Sequence, residues 1–260
     1  MVECAICGTI SESWITRNIL TDELSDTWKL DKAQIEKINL RESSYCPICS
    51  NSARTRALGK AIVNELNFPD VKIFKEWIQE ANKKDLKIAE INSCGKLHDF
   101  LANSKNLKYS EYHSQENTKI NDIPNEDITN LSYEDNSFDL VIHSETLEHV
   151  PDYKKALDEC IRILKPNGIC IYTVPIINNR LTIKCVAIDE KGDINYLKPP
   201  SYHGCSDDYL VFWEFGDNFQ ELSHSELIYS EPEILNYVFA IRKKAKWNSL
   251  ITKIKSVFKA

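Results

Sequence analysis

From Leu86 onward the chain alternates short apolar runs with helical patterns, and few folds can accommodate that alternation. "LKIAEIN" (86–92) precedes the helix-like "KLHDFLANS", and "LKYSEY" (107–112) reads as a second strand. A polar stretch then leads to "EDITNLSYEDNS", expected to be loop around a short strand near Ile128. "FDLVIHSE" (138–145) carries Leu140, Val141 and Ile142 in succession, the mark of a strand buried on both faces. In "PDYKKALDECIRILKP" (151–166), Ala156, Leu157, Cys160, Ile161 and Leu164 follow helical spacing, and Pro151 suits a first turn. Pro166-Asn167-Gly168 ends that helix and turns the chain into the strand "ICIYTVPI"; "YVFAIRK" (237–243) reads as the last strand. Strands separated by helices imply an α/β domain with a mainly parallel sheet covered on both faces. Ligands of such sheets sit beyond the carboxyl ends of the strands. The residues to inspect are therefore Asn92 to Gly95, Glu111, Asp127 and His143 to His149.

Ahead of this body stand two CxxC pairs, Cys4-Ala-Ile-Cys7 and Cys46-Pro-Ile-Cys49. Two intervening residues let both sulfurs of a pair face one ion, and two such turns brought together make a tetrahedral four-cysteine site suited to Zn²⁺. The 38 residues between the pairs should fold, and "LDKAQIEKINL" (30–40) has helical spacing through Leu30, Ile35 and Ile38. The competing readings are four unrelated cysteines or a redox CxxC, which predicts one pair opening a helix rather than two pairs. With all four ligands cysteine and no open position, the zinc is expected to be structural.

At 260 residues, 42% apolar and 27% charged, the chain fits one large domain, or a domain of roughly 200 residues with an appendage. No apolar run approaches the ~20 residues that span a bilayer. The start has no basic n-region and no apolar h-region, so the expected location is the cytoplasm, where nine cysteines are thiols or metal ligands rather than disulfides. The net charge of −7 argues against a nucleic-acid partner, although Arg54 and Arg56 follow the second CxxC pair. The tail is different: between Ile241 and Ala260 lie seven basic residues and no acidic ones. Trp247, Leu250, Ile251, Ile254, Val257 and Phe258 share one helical face, with lysines on the other. Residues 243–260 thus read either as a basic amphipathic helix on an anionic membrane, peripheral at its inner face, or as a helix packed on the body or against a second copy in a homodimer.

Residues 126–175, with "SFDLVIHSETLEHVPD", "RILKPNG" and the turn into "ICIYTVP", resemble the class I S-adenosylmethionine-dependent methyltransferases. The likeness is strongest to the broad group that methylates small molecules and glycans, and it extends loosely over residues 85–243. The double-CxxC module also resembles that of methyltransferases associated with polysaccharide and sugar modification. The implied fold is a Rossmann-like seven-stranded sheet over 61–243, with an insertion at about 177–225. A zinc module at 1–60 would precede it, and the basic helix at 244–260 would follow.

The resemblance also implies a cofactor site. Glu90 would order the loop around the methionine part of S-adenosylmethionine, with Asn92 and Ser93 beside it. Gly95 would let the backbone come close, where a Cβ would obstruct it. Glu111 would accept the ribose hydroxyls, and Asp127 the adenine amino group, with the Ile128 N–H facing a ring nitrogen. Ser144 and Glu145 would border the sulfonium. One departure stands out: the family places glycines near Asn92, Cys94 and Lys96, and this chain has none there. Retained acids at three strand ends favour a modified, working site over a binding module that has lost catalysis.

His149, in "LEHV", and His203, in "SYHG", are the candidate general bases; the other reading of His149 is helix capping or packing, and His203 as a loop histidine can simply be solvated. Tyr202, Tyr209, Phe212, Trp213 and Phe215 either stack on a sugar acceptor or form a small subcore. The expected activity is O-methylation of a sugar, glycan or other small molecule. The alternatives are an RNA methyltransferase guided by the zinc module and a non-catalytic binding module.

Overall fold

The computed structural model describes residues 1–113, 122–203 and 209–245, the side chain of His203 excepted. Its centre is a mixed sheet of six strands: β1 (Ile88–Ile91), β2 (Leu107–Ser110), β3 (Phe138–Ser144), β4 (Leu164–Thr173), β5 (Glu226–Glu231) and β6 (Asn236–Arg242). The spatial order is β5-β6-β4-β3-β1-β2. Strands β2, β1, β3 and β4 run parallel, and β6 pairs antiparallel with both β4 and β5. From β1 the chain moves outward to β2 and then crosses back to β3. The order reverses between β1 and β3, and a Rossmann-like sheet opens its ligand crevice at such a switch.

Strict alternation along the strands sorts the core into two layers. Leu140, Ile142, Ile169, Ile171, Val238 and Ala240 face one side, packed with Leu58, Ile62, Phe74 and Trp77. Ala89, Ile91, Val141, Cys170, Tyr172, Phe239 and Ile241 face the other, under Ala156, Leu157, Cys160 and Ile163. Helix α1 (Lys32–Ser43) packs on α2 (Ala53–Glu65), and α2 with α3 (Phe74–Lys83) and the short α4 (His98–Leu101) supplies the first layer. The second layer is supplied by α5 (Tyr153–Ile163).

Cys4, Ile6 and Cys46 belong to the same core cluster as the first sheet face, and α2 runs across residue 60, where the sequence placed a junction. Helix α1 begins at the cap Asp31, whose carboxylate accepts from the Gln34 N–H while the Gln34 side chain answers to the Asp31 N–H.

Four expectations are corrected. The sheet has six strands among the described residues rather than seven. Near Ile128 there are isolated bridges alone, Glu111 with Asn125 and Asp127 with Asn130. The segment has few core residues, and Asp127 Oδ1 accepts from the Thr129 N–H and hydroxyl at 2.8 Å each, which favours a turn over a strand. Helix α5 starts at Tyr153 and not at Pro151, because Asp152 caps it by accepting from the Lys154 and Lys155 N–H groups at 3.1 Å. Finally, Pro166-Asn167-Gly168 forms a bulge within β4, not a turn ahead of it: pairing with β3 jumps from Phe138–Leu164 to Leu140–Ile169.

The insertion is built of two-stranded ribbons, among them Val186–Ile188 with Ile194–Tyr196 and Tyr202–His203 with Tyr209–Leu210. No helix among the described residues is long and apolar enough to cross a membrane. The basic amphipathic pattern after Lys246 lies outside the described residues.

Candidate cofactor site and cysteine cluster

The loop after β1 achieves with asparagine what glycine does elsewhere. Asn92 takes a left-handed backbone (φ 58°), its N–H donates to the Ser110 carbonyl at 2.9 Å, and its Oδ1 accepts from the Tyr112 N–H at 2.9 Å. Asparagine tolerates that region better than most residues. Gly95 is also left-handed (φ 61°), yet a Cβ there would stand 3.6 Å from Thr55 Cγ2, an ordinary contact. Within the protein, therefore, backbone conformation and not crowding calls for this glycine.

Glu90 is 0% exposed and spends both oxygens on the loop, accepting from the Cys94 N–H at 2.8 Å and lying 2.6 Å from His98 Nδ1. That hydrogen bond with Glu90 pushes the His98 pKa up. The Ser93 N–H donates to Glu111 Oε1 at 3.1 Å, and the Tyr109 hydroxyl donates to the same oxygen. Glu111 and Asp127 stand at the open rim, while the Ile128 side chain is buried. Sequence expectation and structure thus bring Glu90, Asn92, Ser93, Gly95 and Glu111 into one connected unit.

At the end of β3 the structure adds residues that sequence reading missed. The Ser144 hydroxyl bonds Thr173 Oγ1 at 2.7 Å and accepts from Arg54. Arg41 and Arg54 each reach Glu42, at 2.7 and 2.9 Å, and Arg41 lies 3.6 Å from Glu145. Burial raises the Glu145 pKa, against the lowering effect of both arginines. Glu148, 0% exposed and without a hydrogen-bond partner for either oxygen, is pushed well above the carboxylate range by burial and by Glu145. One signal was available: Arg54 lies in the first turn of α2, where the helix dipole disfavours a cation. Arg41 sits in the last turn of α1, which the dipole favours, so nothing marked it.

Of the two candidate bases, His149 lies beside this cluster. Its Nδ1 faces the Leu210 carbonyl at 3.1 Å, so Nδ1 carries the proton, and Nε2 lies 3.7 Å from Glu148 Oε1. Burial lowers its pKa and favours the neutral ring. Leu210 belongs to the ribbon that contains His203, whose backbone pairs with Tyr209; the His203 side chain lies outside the described residues. Phe215 is fully buried, Phe212 nearly so, and Trp213 meets the Tyr153 ring edge-on at 5.0 Å. Tyr196, Tyr202 and Tyr209 are the exposed large aromatics of the insertion among the described residues, and the Tyr209 ring lies 5.6 Å from that of His149.

The four cysteines of the CxxC pairs converge. Cys4 Sγ and Cys49 Sγ are 3.7 Å apart, Cys7 Sγ and Cys46 Sγ 3.8 Å, and all four sulfurs lie within 4.8 Å of one another. Zn–S bonds of about 2.3 Å in a tetrahedron put sulfurs about 3.8 Å apart, so the donor set fits that ion. The two turns repeat one another. Gly8 (φ 76°) donates to the Cys4 carbonyl, and Ser50 (φ 56°) donates to the Cys46 carbonyl. Arg56 lies 3.9 Å from the Trp14 ring centre and donates to the Asn51 carbonyl at 2.8 Å, so it and Arg54 are both spent internally.

Residues 88–172, which run from β1 through most of β4, match the family described as "Methyltransferase domain". A demethylmenaquinone methyltransferase of Staphylococcus haemolyticus (strain JCSC1435) is 51% identical over 49 residues, 18% of this chain and 20% of that protein. One of Staphylococcus aureus (strain Newman) is 40% identical over 77 residues, 29% of this chain and 31% of that protein. The match thus spans less than a third of either relative's length. Among solved structures, a 1,6-didemethyltoxoflavin-N1-methyltransferase of Burkholderia thailandensis shares 14% identity, covering 74% of this chain and 79% of that one, with a TM-score of 0.38.

Proposed function

We propose that this chain is an S-adenosylmethionine-dependent methyltransferase acting on a hydroxyl of a sugar, glycan or other small molecule, with a structural Zn²⁺ held by Cys4, Cys7, Cys46 and Cys49. The observation that carries the reading is the loop after β1, locked by Glu90 and joined through the Ser93 N–H to Glu111 at the end of β2. It lies at the switch in strand order, inside the segment that matches a methyltransferase domain.

When bound, the cofactor supplies an electrophilic methyl group, and the protein contributes alignment, a dry site and proton handling. Glu111 and Asp127 offer carboxylate oxygens to the ribose and adenine groups, and Ser144 and Glu145 line the reaction side. His149 serves as the base: the Leu210 carbonyl accepts from Nδ1, and burial favours the neutral imidazole, which takes up the acceptor's hydroxyl proton. Exposed Tyr202 presents an aromatic face for a sugar ring. The curated relatives, named for demethylmenaquinone, favour a small molecule over a polymer. RNA as the acceptor loses support, because Arg54 and Arg56 are engaged inside the fold.

The test is transfer of isotope-labelled methyl from S-adenosylmethionine to a panel of sugar nucleotides and oligosaccharides, with quinols and RNA in parallel. Label in a sugar product supports the reading. Label confined to RNA overturns the acceptor class, and no transfer to any acceptor overturns the activity.

A further inference from the structure

The loop from Asn92 to Leu97 has one glycine, Gly95, and its outer side rests on the cysteine module. Asn51, fully buried just past the second CxxC turn, makes the link. Its Nδ2 reaches the Lys96 carbonyl at 3.3 Å, the Cys49 carbonyl at 3.5 Å and the Cys49 sulfur at 3.5 Å. Its own carbonyl is held by the Cys46 N–H at 3.0 Å and by Arg56 at 2.8 Å, so the residue has little freedom to move.

A second link runs over Gly59 of α2. A Cβ there would lie 2.3 Å from Ile6 Cδ1 and 3.3 Å from Leu97 Cδ1. The bare glycine thus leaves room for Ile6, between Cys4 and Cys7, beside Leu97 at the end of the loop. Thr55, also on α2, touches the position where Gly95 would carry a side chain. The loop is therefore supported at Lys96 and Leu97 from one side, by Asn51 beside the second cysteine turn and Ile6 within the first.

We infer that the cysteine module is a wall of the cofactor site and that Asn51 couples the two: metal in the four-cysteine centre tightens cofactor binding, and bound cofactor slows metal loss. The inference rests on the proposed activity. A bound ion would fix the Cys49 sulfur and the turn that carries it, and both the sulfur and the Cys49 carbonyl face the Asn51 amide. An occupied centre therefore fixes the Asn51 amide and, through it, the Lys96 carbonyl. Coupling between two binding events is reciprocal, so each ligand reports on the other.

The experiment uses the full zinc-loaded chain, wild type and Asn51→Ala. Calorimetry measures S-adenosylhomocysteine affinity, and a chromogenic chelator measures the rate of zinc release with and without that ligand. Asn51→Ala should retain one zinc per chain and bind the ligand about tenfold more weakly, the scale of one lost hydrogen bond. In the wild type the ligand should slow zinc release several-fold, an effect largely absent from Asn51→Ala. The release measurement on wild type decides the matter even if the variant folds poorly. Ligand binding by wild type with zinc release indifferent to it, or an unchanged affinity in Asn51→Ala, overturns the coupling alone. A zinc-loaded wild type that binds no S-adenosylhomocysteine removes the proposed activity with it.

Discussion

His98 Nδ1 lies 2.6 Å from Glu90 Oε2, and Glu90 is 0% exposed, so the first acid of the site is committed to bracing its own loop rather than to solvent. The pairing has a pH consequence. The Glu90 hydrogen bond raises the His98 pKa in the folded state, so the folded protein holds this proton more tightly than the unfolded chain. The resulting stability is fully present below the unfolded histidine value of about 6.5 and is lost as pH rises through the folded one. Wild type should therefore lose urea resistance between pH 6 and 8.5, and His98→Gln should lose less over the same interval. Parallel pH dependences would contradict the pairing.

Asn92 carries strain that only certain residues can bear. Asn92→Ala forces a Cβ side chain with no local hydrogen bond into the left-handed region, and it should destabilise the protein by about 1–2 kcal/mol. Asn92→Gly keeps the backbone conformation but gives up the bond to the Tyr112 N–H, and it should cost less. Urea unfolding of both variants checks the order.

His149 should govern the rate without governing cofactor affinity. His149→Ala should lower kcat by roughly 10²–10⁴-fold with a hydroxyl acceptor while leaving S-adenosylhomocysteine binding unchanged. Because burial holds its pKa below the ordinary histidine value of about 6.5, the base is present at neutral pH and is lost only at a more acidic pH than for a free imidazole. The wild-type rate should fall in acid, and the residual rate of the variant should lack that limb. A variant with full activity assigns His149 to packing.

Zinc should stabilise the whole body and not a detached module, because Cys4, Ile6 and Cys46 share a core with Leu140, Ile171 and Val238. Elemental analysis should find one zinc per chain, and Cys46→Ser should lower the unfolding temperature of the entire cooperative transition. A separate, early transition confined to the amino-terminal residues would contradict this.

Much of the sheet could be read from sequence because its strands announce themselves locally. Leu140 to Ile142 is an apolar run, and α5 shows clean helical spacing. The strand near Ile128 failed that reading because a few apolar residues in a polar segment do not distinguish a strand from a turn capped by Asp127. The acids of the site were legible at strand ends, as were the two CxxC pairs through their spacing. Arg41, Glu42, Glu148 and Asn51 were not. Glu42 and Glu148 gain their setting from burial that the fold as a whole provides. Arg41 and Asn51 act through partners distant in sequence, Arg41 through Glu145 and Asn51 through Lys96. No local pattern encodes such a contact, and only Arg54, a cation at a helix start, broke a local rule visibly.

The central claim is that a loop built on Asn92 and Gly95, with Glu111 beside it, holds S-adenosylmethionine. Isothermal titration of the intact, zinc-loaded chain with S-adenosylmethionine tests it most directly. The account predicts one site per chain, competition by S-adenosylhomocysteine, and at least tenfold weaker binding in Glu111→Ala, since a carboxylate accepting hydrogen bonds contributes on that scale. No binding by wild type, or equal binding by Glu111→Ala, would contradict it.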